Sequence, residues 1–384
     1  MFSIHSGATR LATRIAFFVA GFGLACWAPL IPLVRERLQL DPAVLGMLLL
    51  CMGIGSVSAM AITGALSARY GSKSVIVASG CALAALLPLL AVAATQSQLG
   101  AALLAFGAAL GSLDVAMNLH AVEVERAANR PMMSGFHALF SVGGFAGAAL
   151  MTLLLSLHLP AWASTLAAAL LMALAMGVAW PRLARADGGG SGPLFAVPRG
   201  VVLVLAVLAG IMFLVEGAML DWGAILLTEQ GLVATAHGGI GYILFSVAML
   251  AGRFSGDAVI ARFGDRAVLL WGGACAAAGV FVVLSAPAML GVAGALAGFV
   301  LVGAGASNIV PILFRLAGAQ QAMPAGLAVA AISTVGYAGV LVGPASIGFV
   351  AKTVGLAMSF GLLGILLCLV PASAHLITAA RAAR

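Results

Sequence analysis

The chain has 384 residues, 63% of them hydrophobic and 8% charged, with a formal net charge of +7. A soluble globular domain carries about 25% charged residues, so this composition excludes one and points to an integral membrane protein. The 49 Gly residues suit helices that approach one another closely. Apolar runs of about 20 residues suit spanning helices rather than the ten-residue alternating strands of an outer-membrane barrel.

Runs bounded by charges, Pro/Gly clusters or polar residues predict twelve spans, near 11–34, 43–68, 74–94, 99–121, 134–157, 160–180, 200–228, 238–261, 267–286, 290–314, 324–350 and 355–379. The first follows Arg10 and Arg14 as a signal peptide would. Its apolar run is too long for that and continues through Trp27 and Pro29, so it is expected to be retained. With the N-terminus cytoplasmic, only Arg35, Arg37 and Lys352 of the 18 basic residues fall outside and Arg253 falls within a helix, leaving fourteen inside. The positive-inside rule then places both termini in the cytoplasm.

"ARADGGGSGPLFAVPRG" (Ala184–Gly200) has linker composition at the chain's midpoint. It separates an N-terminal six-helix bundle, 1–180, from a C-terminal one, 200–384, with a cytoplasmic linker at 181–199. The halves repeat: "GALSARYGSKSV" (Gly64–Val75) aligns with "DAVIARFGDRAV" (Asp257–Val268), "SVGGFAG" (Ser141–Gly147) with "STVGYAG" (Ser333–Gly339), and Trp27 with Trp222. Such duplication predicts a pseudo-twofold axis and alternating access around a central site. The expected fold is therefore all-α, twelve transmembrane helices in two pseudo-symmetric six-helix bundles.

These residues resemble the major facilitator superfamily. Its loop motif between the second and third helices, Gly-x-x-x-Asp-Arg-x-Gly-Arg-Lys, is matched by Gly64, Arg69, Gly71 and Lys73, and departs at Ala68 and Ser72. The second copy keeps Arg262, Gly264 and Arg266, with Asp257 four residues before Ala261. "LDVAMN", "RPMMSGFHALFSVGG" and "FLVEGAMLDWGAILL" look more narrowly similar to a bacterial branch near the fucose permeases. The resemblance implies that helices one, four, seven and ten line the central cavity, and that the loop residues Arg69, Lys73, Arg262 and Arg266 take part in gating.

Intramembrane polar groups fall mostly on those helices. A carboxylate at mid-bilayer costs at least about 2.5 kcal/mol, so Asp114, Glu216 and Asp221 are the candidates for proton coupling or substrate binding. Asp114 and Asn118 share a helical face. Asn118, Asn308, Trp27 and Trp222 are candidate substrate contacts; the amides otherwise join helices and the tryptophans otherwise anchor at the interface. A sheltered carboxyl can carry a proton as the cavity alternates sides; its structural alternative is an interhelical hydrogen bond. His120 and His137 are expected in local packing or loop hydrogen bonds, the other reading being a proton relay. Arg253 has Asp257 one turn away, which suggests a local ion pair with a structural or gating role. Glu123, Glu125 and Arg126 read as a solvated face at the inner end of the fourth span.

Cys26, Cys51, Cys81, Cys275 and Cys368 are dispersed in apolar runs without metal-ligand spacing. No metal or other cofactor is expected, and the common hydrolase, zinc-protease, P-loop and dinucleotide motifs are missing. The chain reads as a secondary transporter, not an enzyme. The expected cargo is a small polar, possibly sugar-like solute taken up with protons. The expected partners are that solute, protons and the lipid bilayer, with no nucleic acid, and the chain is expected to act as a monomer. The alternatives are a proton-antiport exporter of amphipathic compounds, which the Gly-Pro run of the eleventh rather than the fifth helix counts against, and a non-transporting membrane receptor.

Overall fold

The computed structural model describes residues 4–40, 42–184, 197–234 and 238–382. Most of the expected linker, 185–196, and with it the topological charge of Arg185, lies outside the described residues, as does Arg384.

Ten helices among the described residues are long and apolar enough to cross a membrane. One of them, Ile240–Ala319, is three passages, which gives twelve. The first unit's helices are α1 (Gly7–Arg37), α2 (Val44–Tyr70), α3 (Ser72–Val92), α4 (Gln96–Ala128), α5 (Met133–Ser156) and α6 (Ala161–Arg182). The second series begins with α7 (Val201–Asp221). Helices α8 (240–263) and α9 (265–285) meet at Gly264, whose φ of 78° and ψ of 162° break the helix. Then come α10 (Gly291–Ala306, resumed at Ile309–Ala319), α11 (Ala325–Val354) and α12 (Leu356–Thr378).

Local chemistry sets several ends. Ser6 and Thr95 cap α1 and α4 by accepting from the Thr9 and Gln98 amides at 3.1 and 3.2 Å. Gly71 turns α2 into α3 with φ 81°, and Gly264 does the same between α8 and α9; both positions need a left-handed backbone that glycine adopts without steric cost. They are equivalent in the repeat, which explains why the two loop motifs share that glycine.

The helices gather into two units. One takes in the described residues of Met1–Arg130, Phe136–Val197 and Pro324–Thr334; the other takes in those of Pro131–Gly135, Pro198–Met323 and Val335–Arg384. Each unit therefore includes a short segment from the other half of the sequence, the start of α11 in the first and the start of α5 in the second.

Small residues bring the helices of each unit together. In the first, Gly143 and Gly147 of α5 lie on the backbone carbonyls of Phe18 and Phe22 in α1, leaving no room for a Cβ. In the second, Gly339 of α11 sits in the same way on Gly210 of α7. Gly107 packs α4 on Met52 of α2, and Gly303 packs α10 on Phe245 of α8. Without water to drive helices together inside a membrane, such close van der Waals contact is a main source of association.

Candidate substrate and coupling site

The polar face of α4 is the most built-up cluster in the first unit. Asp114 is 8% exposed and Asn118 is fully buried. Because they are one turn apart, the Asn118 amide reaches back to donate to the Asp114 backbone oxygen at 2.9 Å and to its Oδ1 at 3.4 Å. From α11, Ser333 Oγ donates to Asp114 Oδ2 at 3.0 Å. From α5, His137 Nε2 donates to Asn118 Oδ1 at 3.2 Å. Phe17 of α1 meets the His137 ring edge-on at 5.2 Å and stacks on Phe136 at 5.7 Å, walling the cluster with apolar surface.

Four helices thus contribute to this cluster, and among the described residues the Asp114 carboxylate is hydrogen-bonded only to uncharged groups. Its negative form has two donors and no cation, an arrangement that can exist in either protonation state without breaking an ion pair. His120, by contrast, points elsewhere: it is buried beside Thr13, Nδ1 to Oγ1 at 3.1 Å, the packing role expected for it. The inner end of α4 differs from expectation. The helix runs on to Ala128, Glu125 is only 5% exposed and Ser72 Oγ donates to the half-buried Glu123 at 3.4 Å, while Arg126 is exposed as expected.

In the second unit Glu216 of α7 and Arg253 of α8 form an ion pair at 2.9 Å, their side chains 28% and 10% exposed. Spacing within α8 points to Asp257, one turn on, as a partner of Arg253; Glu216 is a partner on a neighbouring helix. The partner on the neighbouring helix is invisible to spacing within one helix. Asp257 accepts from the backbone amides of Ser134 and Gly135 at 3.0 and 2.9 Å, so it caps the first turn of α5, where such donors have no helical acceptor. At the matching place in the first repeat, Gly64 of α2 lies directly against Gly326 of α11.

Asn308 sits at the interruption of α10, where Pro311 follows. Its amide donates to the Gly252 carbonyl of α8 and to Ser307 Oγ, both at 3.0 Å, while Oδ1 is buried with no hydrogen-bond partner among the described residues. Trp27 is 3% exposed, and Trp222 packs against Gly348 of α11. Asp221 is exposed at the end of α7. Lys73 Nζ donates to the Leu183 carbonyl at 2.9 Å; Arg69 and Arg262 lie over the rings of Tyr70 and Phe263, and Arg266 is exposed. Arg315 and Asp265 form a further ion pair that sequence reading did not single out. Nor did it single out Ser333, although the repeat that aligns Ser141 with Ser333 marked the position. Among the described residues, no cluster of His, Cys, Asp and Glu could hold a metal ion.

A Major Facilitator Superfamily model matches residues 14–344. The chain belongs to the major facilitator superfamily. An uncharacterised MFS-type transporter of Yersinia pestis is 48% identical over 370 residues, covering 96% of both chains. Among solved structures, the Escherichia coli fucose:proton symporter FucP, in its outward conformation, superposes with a TM-score of 0.77 at 16% identity, over 98% of this chain and 99% of that one. The proton:xylose symporter XylE superposes with a TM-score of 0.75 at 14% identity, over 95% and 94%. The twelve-helix membrane fold expected from the sequence is that of the superfamily, and the protein is a multi-pass transporter, not an enzyme.

Proposed function

We propose that this transporter takes up a small polar, sugar-like solute together with protons, by alternating access. The reading rests above all on Asp114. A carboxyl group 8% exposed inside a membrane helix, held by Ser333 and Asn118 and, among the described residues, by no cation, has no packing need that a neutral amide would not meet more cheaply. It is suited to bind a proton on one side of the membrane and release it on the other. Asn118 and His137 add two amphoteric groups to the same cluster, which favours a solute with hydroxyl groups over an amphipathic compound. That the neighbours FucP and XylE are named as proton symporters of fucose and xylose supports the same reading.

Glu216 takes a different part in this proposal. It is paired with Arg253 at 2.9 Å, so the pair is assigned to binding the solute hydroxyls, for which charged groups are strong partners. Trp27, Trp222 and Asn308 are assigned to the walls and Asp221 to the approach. Arg69, Lys73, Arg266 and the Asp257 cap are assigned to gating. The halves 1–180 and 200–384 form the two bundles, joined by 181–199, with both termini in the cytoplasm of the bacterial inner membrane, and the monomer is the working unit.

The test is counterflow in proteoliposomes. Purified protein is loaded with millimolar unlabelled pentose or hexose, and entry of the labelled sugar is followed. Accumulation of at least one sugar, abolished in Glu216→Gln, is the expected result. No accumulation across a sugar panel, with accumulation of lipophilic cations instead, would overturn it in favour of an exporter.

A further inference from the structure

Two crevices occupy equivalent places in the two repeats. One, about 640 Å³, lies between α2, α3 and α4 and is lined by Tyr70, Ala78 and Ala82. The other, about 510 Å³, lies between α8, α9 and α10 and is lined by Phe263, Trp271 and Cys275. These residues correspond one to one in the register that pairs Gly71 with Gly264. Both volumes are within the range of sites that hold small organic ligands. Both are open at the side: Tyr70, Phe263 and Trp271 are 57%, 59% and 71% exposed.

Next to an aromatic residue that lines each crevice stands an arginine, at the same position in the two repeats. The Arg69 guanidinium lies 5.4 Å from the centre of the Tyr70 ring, and that of Arg262 lies 5.3 Å from the centre of the Phe263 ring. Both arginines are exposed. An exposed guanidinium beside a ring keeps N–H donors for a planar or tetrahedral oxyanion. An apolar crevice with an exposed cation beside it matches a molecule with a hydrocarbon chain and a phosphate. In a membrane-spanning unit that molecule is a phospholipid. Because the same juxtaposition occurs twice, at positions whose side chains otherwise differ (Ala78 against Trp271, Ala82 against Cys275), it is not an accident of one sequence stretch.

We infer that each crevice is a binding site for an anionic phospholipid, with an acyl chain lying along α3 or α9 and the headgroup phosphate held by Arg69 or Arg262. The sites are independent of the transported solute and stand whether or not the transport reading does. One basic residue at an anionic membrane surface corresponds to about a fivefold gain in binding, which sets the selectivity expected per site.

The experiment is native mass spectrometry of the full-length protein released from nanodiscs containing equal amounts of phosphatidylglycerol and phosphatidylcholine. The parent should retain phosphatidylglycerol in about fivefold preference, up to two molecules per chain. Arg69→Gln and Arg262→Gln should each remove one, and the double variant should show no preference. Arg69→Lys and Arg262→Lys, which keep the charge, should retain most of the preference and so separate a lost contact from a lost fold. Ala304→Phe, which fills the second crevice while leaving Arg262 in place, should remove one lipid. Equal retention of both lipids by the parent, or an unchanged preference in the double Gln variant, would overturn the proposal. Displacement of the lipid by millimolar glycerol 3-phosphate would overturn it too, since a site satisfied by the headgroup alone does not use the crevice.

Discussion

Replacing Glu216 and Arg253 by Gln, singly and together, measures the ion pair that sequence spacing did not disclose. At 2.9 Å, two unit charges attract by about 6 kcal/mol in a medium of effective dielectric 20. Desolvation offsets most of that, because Arg253 is 10% exposed and had to leave water. Glu216, at 28%, kept part of its hydration, so its share of the penalty is smaller. The surplus should lie between that of an exposed pair, under about 1 kcal/mol, and that of a fully buried one, for which removing a partner costs about 3–5 kcal/mol. A coupling of about 1.5–3 kcal/mol is therefore expected in the double-mutant cycle. Equilibrium unfolding in mixed detergent micelles supplies the four stabilities. A coupling below about 0.3 kcal/mol would show that the contact contributes nothing to the fold and would refute the reasoning from distance and exposure.

Asn118→Ala removes the donor that braces Asp114 and the acceptor for His137, leaving buried partners unpaired; it should cost about 1–3 kcal/mol in the same unfolding assay and reduce counterflow. Gly147→Leu forces a branched side chain onto the Phe22 backbone; overpacking of about 1–3 kcal/mol or more should appear as a lowered unfolding midpoint, whereas Gly177→Leu, at a position with open space around it, should leave the midpoint nearly unchanged. Asp257→Ala strips two first-turn amides of α5 of their acceptor and should cost about 0.5–2 kcal/mol, with Asp257→Asn recovering part of it, as read from hydrogen exchange at Ser134 and Gly135.

The spans, the repeat and the two loop motifs were legible because hydrophobic run length and internal similarity are local properties of the sequence. Asp114 was legible for the same reason, being costly in its place. Its partner Ser333 is 219 residues away, and no periodicity within α4 points to it. The Glu216–Arg253 pair joins adjacent helices 37 residues apart, while spacing within α8 drew attention to Asp257. Asp257 also holds the start of α5, a segment from the other half of the sequence, a contact that depends on tertiary placement. The length of α4 was underestimated because Glu123, Glu125 and Arg126 read as an interface on composition, although packing buries Glu125 and the helix continues past them.

The central claim, that Asp114 carries the coupled proton, is tested most directly by proton movement evoked by solute. Proteoliposomes containing a trapped pH dye, with no imposed gradient, receive the sugar that scores in counterflow. The account predicts acidification of the lumen with the parent, and none with Asp114→Asn although that variant still exchanges the sugar in counterflow. Acidification by Asp114→Asn equal to that of the parent, or sugar entry into parent vesicles without any change in lumenal pH, would contradict it.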